Sequence, residues 1–293
     1  MASLKEVKTR ISSVNSTRKI TSAMKMVASS KLHRAQQSIE SMRPYQEKLQ
    51  HITSKFVSNL DGQIDTPYAE QREKKRVAIV LYTSNSSLCG AFNANAIRAF
   101  TTKCEQLRQA GTEVTQVYPI GKKAADAVRK SGFPIVTDYS NLLDHPSYAP
   151  AAKLAQHLMD EFASSALDEV ILIYHHFHSA SRQQLVEETF LPVQLEEKTT
   201  HQGDGDSKYN NNYIIEPSVE SLLDNLIPRS LHLKLYTALL DSLASEHAAR
   251  IIAMQVATDN ADELLRQLTL TYNKTRQQAI TNELLDIVGG SML

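Results

Sequence analysis

Residues 229–288 read RSLHLKLYTALLDSLASEHAARIIAMQVATDNADELLRQLTLTYNKTRQQAITNELLDIV, a stretch with neither glycine nor proline. Inside a helix glycine costs about 1 kcal/mol and proline about 3 kcal/mol, so their absence favours one long helix. Apolar and small side chains recur here at steps of three and four, as in a coiled coil. The stripe consists of Leu240, Leu243, His247, Ile251, Met254, Thr258, Ala261, Leu265, Leu268, Tyr272, Thr275 and Ala279. The stretch therefore predicts a long helix with one face that needs a partner helix.

The opposite end of the chain, residues 1–61, shows the same features. It contains no glycine and a single proline, Pro44, and its apolar residues follow steps of three and four up to Leu60. A helix of such a length is about 90 Å long, whereas a globule of this chain length is only about 50 Å across. Both helices must therefore project, and we predict that residues 1–60 and 217–293 form an antiparallel coiled coil with a local kink at Pro44.

Charge is divided unevenly along a chain of 293 residues whose formal net charge is zero. Residues 1–60 carry 11 Lys and Arg against three Glu, a net of +8, and residues 217–293 carry −3. Opposite charges favour pairing of the two ends. The basic helix is also compatible with nucleic acid, but no aromatic residue is interleaved before Tyr45, and acidic protein partners fit at least as well. The helical pattern continues far beyond the length of a removable mitochondrial presequence.

The middle of the chain has the pattern of an α/β domain, which we place at residues 74–197. Continuous apolar runs of strand length alternate with helical segments, which predicts a Rossmann-like domain with a mostly parallel sheet. The predicted strands are Arg76–Thr83, Glu113–Ile120, Pro134–Thr137, Asp168–Phe177 and Gln184–Leu195, the last near a sheet edge because of Pro192; the predicted helices are Asn93–Gln109, Lys122–Lys130 and Ala151–Ser165. Residues 139–150 are predicted to be loop, and residues 198–216 to be a polar loop or linker.

No motif in this middle segment predicts catalysis or a cofactor. GxGxxG is absent, and Gly121-Lys122-Lys123 lacks the first glycine and the Ser/Thr of a P-loop. His176 and His178 lie on one face of a strand and could share a metal ion, whereas His175 lies on the other face, and solvated histidines at a strand end are the alternative. Cys89 and Cys104 lack a CxxC partner, and Asp204 and Asp206 lack the downstream Glu of an EF-hand. We predict no catalytic residue, no cofactor and no metal.

Both ends of the chain closely resemble the γ subunits of bacterial F-type (F1Fo) ATP synthases. Residues 2–35, ASLKEVKTRISSVNSTRKITSAMKMVASSKLHRA, carry the N-terminal resemblance. The C-terminal resemblance lies in EHAAR, ATDNADEL and LTLTYNKTRQQAITNELLDIVGG within residues 246–290, and LCGAFN at 88–93 is similar to the family's LCGGFN. The resemblance implies a non-catalytic central rotor shaft that couples ion flow through the membrane c-ring to rotary catalysis in the α3β3 hexamer.

The resemblance also implies partners and contact residues. The coiled coil would enter the hexamer of α and β subunits, and the α/β domain would lie against the ε subunit and the c-ring, on the cytoplasmic face of the bacterial inner membrane. The implied contacts with α and β are Met24, Lys25, Arg250, Arg276, Gln277, Thr281 and Glu283. Nucleic acid is not an expected partner, and membrane contact is expected only through the c-ring. From the residues alone, two alternatives stay open: an α/β nucleotide-binding enzyme with a coiled-coil oligomerisation arm, or a basic coiled-coil tether.

Overall fold

Two terminal helices dominate the computed structural model, which describes residues 3–59, 66–135, 137, 139–193 and 219–290. The first has 56 residues and the last has 72, so both exceed the length of an average globular helix several-fold. In chain order the elements are α1 (Leu4–Asn59), β1 (Arg76–Tyr82), α2 (Phe92–Gln109), β2 (Glu113–Ile120), α3 (Lys122–Lys130), α4 (Asn141–Asp144), α5 (Tyr148–Ala163), β3 (Glu169–Ser179), β4 (Arg182–Leu191) and α6 (Val219–Gly290). None of the described helices is long and apolar enough to cross a lipid bilayer.

The four strands form one sheet in the order β2-β1-β3-β4. Strand β1 is parallel to both β2 and β3, and β4 pairs with β3 in the antiparallel sense at the edge. Because side chains alternate along β1, Ala78 and Val80 pack on one face of the sheet and Val77 and Ile79 on the other. Both faces are covered, which explains the continuous apolar run in the sequence. The prediction of a mostly parallel sheet is confirmed.

Asp168 fixes the start of β1 next to the start of β3. Its carboxylate accepts the backbone N–H of Arg76 at 2.8 Å and the Arg76 guanidinium at 3.0 Å, and it is only 5% exposed. The Arg76 side chain, together with backbone N–H donors, lowers the pKa of Asp168 below its ordinary value, since these donors favour the charged carboxylate. The pairing of the two central strands therefore depends partly on one ionised group.

The first third of α6 belongs to the core of the α/β region. Its apolar side chains at Leu223, Ile227, Leu231 and Leu235 are at most 3% exposed and pack in the same cluster as the buried face of α5. Their spacing of four matches one face of a helix. The same helix then continues, without a break in its backbone, away from the sheet and along α1.

Along α1 and α6 the two helices pack as the antiparallel coiled coil that the stripes predict. On α1 the buried positions Val7, Thr21, Ala28 and Ala35 are separated by multiples of seven, the period of a coiled-coil seam. Among the contacts between the helices, the Thr21 and Thr258 hydroxyls are hydrogen-bonded at 2.8 Å. The long helices, the sheet and their arrangement confirm the predicted fold class.

The predicted loop 139–150 is wrong in two places. Residues Asn141–Asp144 form the short helix α4, and α5 begins at Tyr148, three positions earlier than predicted. Pro150 is compatible with this start because the first-turn N–H groups of a helix have no intrahelical partner to lose.

Other predictions of the middle segment are only partly covered by the described residues. The predicted strand Pro134–Thr137 reduces to an isolated bridge between Ile135 and Val117, with residue 136 outside the described part. Asp204, Asp206 and the predicted polar loop 198–216 also lie outside the described residues. The division of the chain into separate domains stays a prediction.

Candidate functional site

The end of α6 projects beyond the start of α1. Thr21 lies opposite Thr258. Leu4 is 17 positions before Thr21, and Thr275 is 17 positions after Thr258. In an antiparallel pair the first residue of α1 therefore lies level with Thr275. Residues 276–290 continue as a single helix, which we call the projecting end. At 1.5 Å per residue it is about 22 Å long.

The projecting end exposes large apolar side chains. Their exposed fractions range from 45% to 68%, and the residues are Ile280, Leu284, Leu285, Ile287 and Val288. Isolated exposed apolar residues are normal, but a contiguous apolar patch indicates an interaction surface. The projecting end thus has the composition of a surface that another protein covers.

Four of the residues implied as partner contacts lie on this projecting end. The residues Arg276, Gln277, Thr281 and Glu283 are all exposed. The Thr281 hydroxyl donates to the Gln277 carbonyl oxygen at 2.9 Å, within the helix. The side chains of the other three present charge and hydrogen-bonding capacity at the surface, next to the apolar patch.

The other three implied contacts lie elsewhere, near the α/β region. Arg250 precedes Arg276 on α6 by about 39 Å along the helix axis. On α1, Met24 and Lys25 are half-buried, and the Lys25 ammonium donates to the side-chain oxygen of Gln255 across the coiled coil. The structure thus separates the implied contacts into two groups rather than one site.

Arg250 itself makes its contacts within the chain. It is 7% exposed, and its guanidinium donates to the Glu246 carboxylate at 2.8 Å and to the backbone carbonyl oxygen of Ser87. Burial raises the pKa of Glu246, whereas the hydrogen bond and charge of Arg250 and the charge of Lys31 act to lower it. Arg250 therefore ties the loop after β1 to α6, and a partner contact through it stays a prediction.

Gly121-Lys122-Lys123, where the sequence weakly suggests a phosphate-binding loop, lies between β2 and α3, and here the chain itself occupies the helix start. The first three amides of α3 all donate to residues 83–85. The donor–acceptor pairs are Lys122 N–H to Asn85 Oδ1 at 3.1 Å, Lys123 N–H to the Ser84 carbonyl oxygen at 3.2 Å, and Ala124 N–H to Thr83 Oγ1 at 2.7 Å. A Cβ added to Gly121, whose φ is +111°, would lie 2.6 Å from the Thr83 carbonyl oxygen. The amides that would bind a phosphate already have partners.

The buried histidines and the cysteines do not form a catalytic arrangement. Burial lowers the pKa of His175 and of His247 to about 4, so both are neutral at pH 7. Both cysteines are free thiols, and burial raises the pKa of Cys104 to about 11, which suppresses its reactive thiolate. Among the described residues, no group of three or more His, Cys, Asp or Glu side chains could hold a metal ion.

Comparison with known proteins agrees with the resemblance of the chain ends. The family model described as ATP synthase matches residues 3–292. Proteins named ATP synthase gamma chain are 54% identical in Phocaeicola vulgatus and 56% in Bacteroides fragilis, over 100% of both chains in each case. In Flavobacterium johnsoniae the identity is 45%, over 99% of this chain and 98% of the relative.

The chain belongs to the ATP synthase gamma chain family. The resemblance is thereby confirmed along the whole chain, and the protein is a subunit of an ATP synthase complex. Two solved structures support the fold. A chain of the Tetrahymena thermophila mitochondrial ATP synthase central stalk and c-ring superposes with a TM-score of 0.57 at 22% identity, over 81% of this chain and 99% of that one. A chain of the Euglena gracilis mitochondrial ATP synthase has a TM-score of 0.53 at 21% identity, over 92% and 94%.

The apolar patch of the projecting end is the feature that the sequence reasoning missed. The stripe of steps of three and four ends at Ala279, whereas Ile280, Leu284, Ile287 and Val288 follow the i, i+4, i+7, i+8 spacing of a different face of the helix. Leu285 lies beside this face, so the apolar patch is wider than a coiled-coil seam. This second apolar face, beginning where the stripe ends, was the available signal for the patch.

Proposed function

We propose that this chain is the central rotor shaft of a bacterial F-type ATP synthase, itself without a catalytic site. The observation that carries the proposal is the projecting end, an exposed apolar helix held far from the α/β region by a two-helix shaft. An object that serves three chemically identical catalytic subunits in turn must be stiff and asymmetric. An antiparallel pair that becomes a single helix satisfies both requirements.

The two ends of the shaft have different partners in this proposal. The projecting end and the coiled coil enter the hexamer of α and β subunits, where the exposed apolar side chains between Ile280 and Val288 pack against a surrounding protein surface. The α/β region lies at the opposite end, against the ε subunit and the c-ring. The chain then reaches the membrane only through the ring, on the cytoplasmic face of the inner membrane.

The contact residues act by charge and hydrogen bonding rather than by bond chemistry. Arg276, Gln277 and Glu283 are exposed and can make charge-assisted hydrogen bonds to loops of the catalytic subunits, with Thr281 beside them. Met24, Lys25 and Arg250 form the second group, nearer the α/β region, where the coiled coil meets the loop after β1. The hydrogen-bonded amides of α3 favour this role over that of a nucleotide-binding enzyme.

The proposal is tested by reconstitution from purified α, β and this full-length chain. We expect a stable complex with ATPase activity and a filament attached to the α/β region that rotates during hydrolysis. Calorimetry of the chain alone with ATP is expected to show no saturable binding. Failure to assemble, or an active complex in which the shaft stays still, would refute the rotor role.

The role of the projecting end has its own matched variants. Replacing Leu284, Leu285 and Ile287 together by serine is expected to leave the thermal midpoint of the free chain within a few degrees, since these side chains are exposed. The same change should speed dissociation of the complex. As a control, replacing Asn282 by serine alters an exposed polar position on the same turn, and dissociation should stay unchanged.

A further inference from the structure

Two histidines at the end of β3 lie side by side on one face of the sheet. His176 and His178 are two positions apart on the strand, and the centroids of their rings are 4.6 Å apart in an edge-to-face arrangement. His178 is exposed, and His176 is half-buried. The third histidine of the run, His175, lies on the opposite face, where it stacks on Phe92 at 4.4 Å between ring centroids.

The hydrogen bonds of the two rings determine which nitrogen of each is free. His176 Nδ1 is hydrogen-bonded to the Asp241 carboxylate, which only accepts, so Nδ1 of the neutral ring carries the proton and Nε2 keeps its lone pair. His178 Nε2 lies 3.1 Å from the side-chain oxygen of Gln184, so Nε2 donates and Nδ1 keeps its lone pair. Each ring thus offers one unprotonated nitrogen to a cation.

The contact between Asp241 and His176 matches the arrangement found behind metal ligands. A ligating histidine usually donates its other N–H to a carboxylate, which fixes the tautomer and raises the basicity of the ligating nitrogen. Asp241 is on α6, and its side chain is 15% exposed, so the carboxylate is held in place by packing of the shaft against β3.

We propose that His176 and His178 form a surface site for a divalent transition-metal cation, with Asp241 as its positioning residue. Imidazole nitrogens select Zn²⁺, Ni²⁺ and Cu²⁺ over the oxygen-seeking Mg²⁺ and Ca²⁺. A metal with bonds of about 2.0–2.1 Å to nitrogen can bridge two adjacent rings on one strand face. Because no third protein ligand lies nearby among the described residues, water completes the coordination. This site is separate from the rotor role.

Calorimetry of the full-length, tag-free chain with Zn²⁺ at pH 7.5, with Mg²⁺ in excess, tests the site. We expect saturable binding that is unaffected by Mg²⁺. His178→Gln should weaken the affinity at least tenfold, and Asp241→Asn about tenfold, the range found for supporting residues of metal ligands. The matched control is His145→Gln, an exposed histidine that follows α4, which should bind like the wild type.

A spectroscopic readout separates ligation from a structural effect of the substitutions. Pulsed electron paramagnetic resonance of bound Cu²⁺ should count two imidazoles in the wild type and one in His178→Gln, with equal helical content by circular dichroism. The proposal is overturned if the wild type shows no saturable Zn²⁺ binding, if His178→Gln binds as tightly, or if both samples show the same number of imidazoles.

Discussion

Replacing Arg250 with methionine removes the cation from a buried ion pair while keeping most of the apolar stem. The Arg250 and Glu246 side chains are each 9% exposed, and the guanidinium and carboxylate are 2.8 Å apart. Removing one partner of a buried pair typically costs about 3–5 kcal/mol, because it leaves the other charge buried and uncompensated. The charge of Lys31 also favours the Glu246 carboxylate, so we expect a loss near the lower limit, about 3 kcal/mol.

Urea unfolding of the full chain, followed by circular dichroism, measures this loss. The matched control is Arg266→Met on the same helix, where the ion pair with Glu263 has side chains 69% and 51% exposed. Exposed pairs contribute about 0–1 kcal/mol, so the control should change the free energy of unfolding by less than about 1 kcal/mol.

The pH dependence of the difference gives an independent check. Burial already raises the pKa of Glu246 in the folded chain, and loss of Arg250 removes the strongest influence that lowers it. A carboxyl whose folded pKa is raised stabilises the fold when protonated and loses that contribution as pH rises through the folded pKa. The variant should therefore be less impaired at pH 5 than at pH 7.5. A loss no larger than that of Arg266→Met, or one that does not shrink at pH 5, would refute the reasoning.

Three further predictions concern single positions. Gly121→Ala should lower the free energy of unfolding by at least about 2 kcal/mol, because its Cβ would meet the Thr83 carbonyl oxygen at 2.6 Å. Gly132→Ala, at φ +77° with open space around it, should lower it by only about 1 kcal/mol. Equal urea midpoints for the two variants would contradict this. Asp168→Asn should destabilise the chain at pH 7, and the deficit should shrink as pH falls below about 4, because the contribution of a lowered pKa is complete above the unfolded value and is lost as pH falls through the folded one. A deficit constant down to pH 3 would count against it. Arg276→Ala should change stability by less than about 0.5 kcal/mol and reduce ATP-driven ion pumping by the complete ATP synthase in membrane vesicles, whereas unchanged pumping would remove Arg276 from the contacts.

The long helices were predictable from the sequence because glycine and proline act locally. Their projection followed from length, since neither helix fits within a globule of this size, and their pairing followed from the apolar stripes and the opposite charges of the two ends. The register was not predictable in the same way. The seam contains Thr21 and Thr258, polar residues that the stripes allow at many offsets, and contacts between the helices such as their mutual hydrogen bond show which positions lie opposite each other.

The candidate site was predictable only through resemblance, and its geometry was not predictable at all. The sequence pattern around a charged residue on a long helix is the same whether its side chain faces solvent, a partner or another part of its own chain. Arg276 and Arg250 illustrate this, because the first is exposed and the second is buried against Glu246. The role of α6 in covering the sheet was hidden for a similar reason, since its apolar face looks the same whether it packs on strands or on α1.

The start of α1 next to the start of the projecting end has a mechanical consequence. Between that point and the α/β region two helices pack side by side, and bending must stretch one against the other. In the projecting end a single helix bends without that resistance. Elastic deformation under load should therefore concentrate in residues 276–290, so that the shaft below acts as a stiff lever and its end as a compliant coupling to whatever surrounds it.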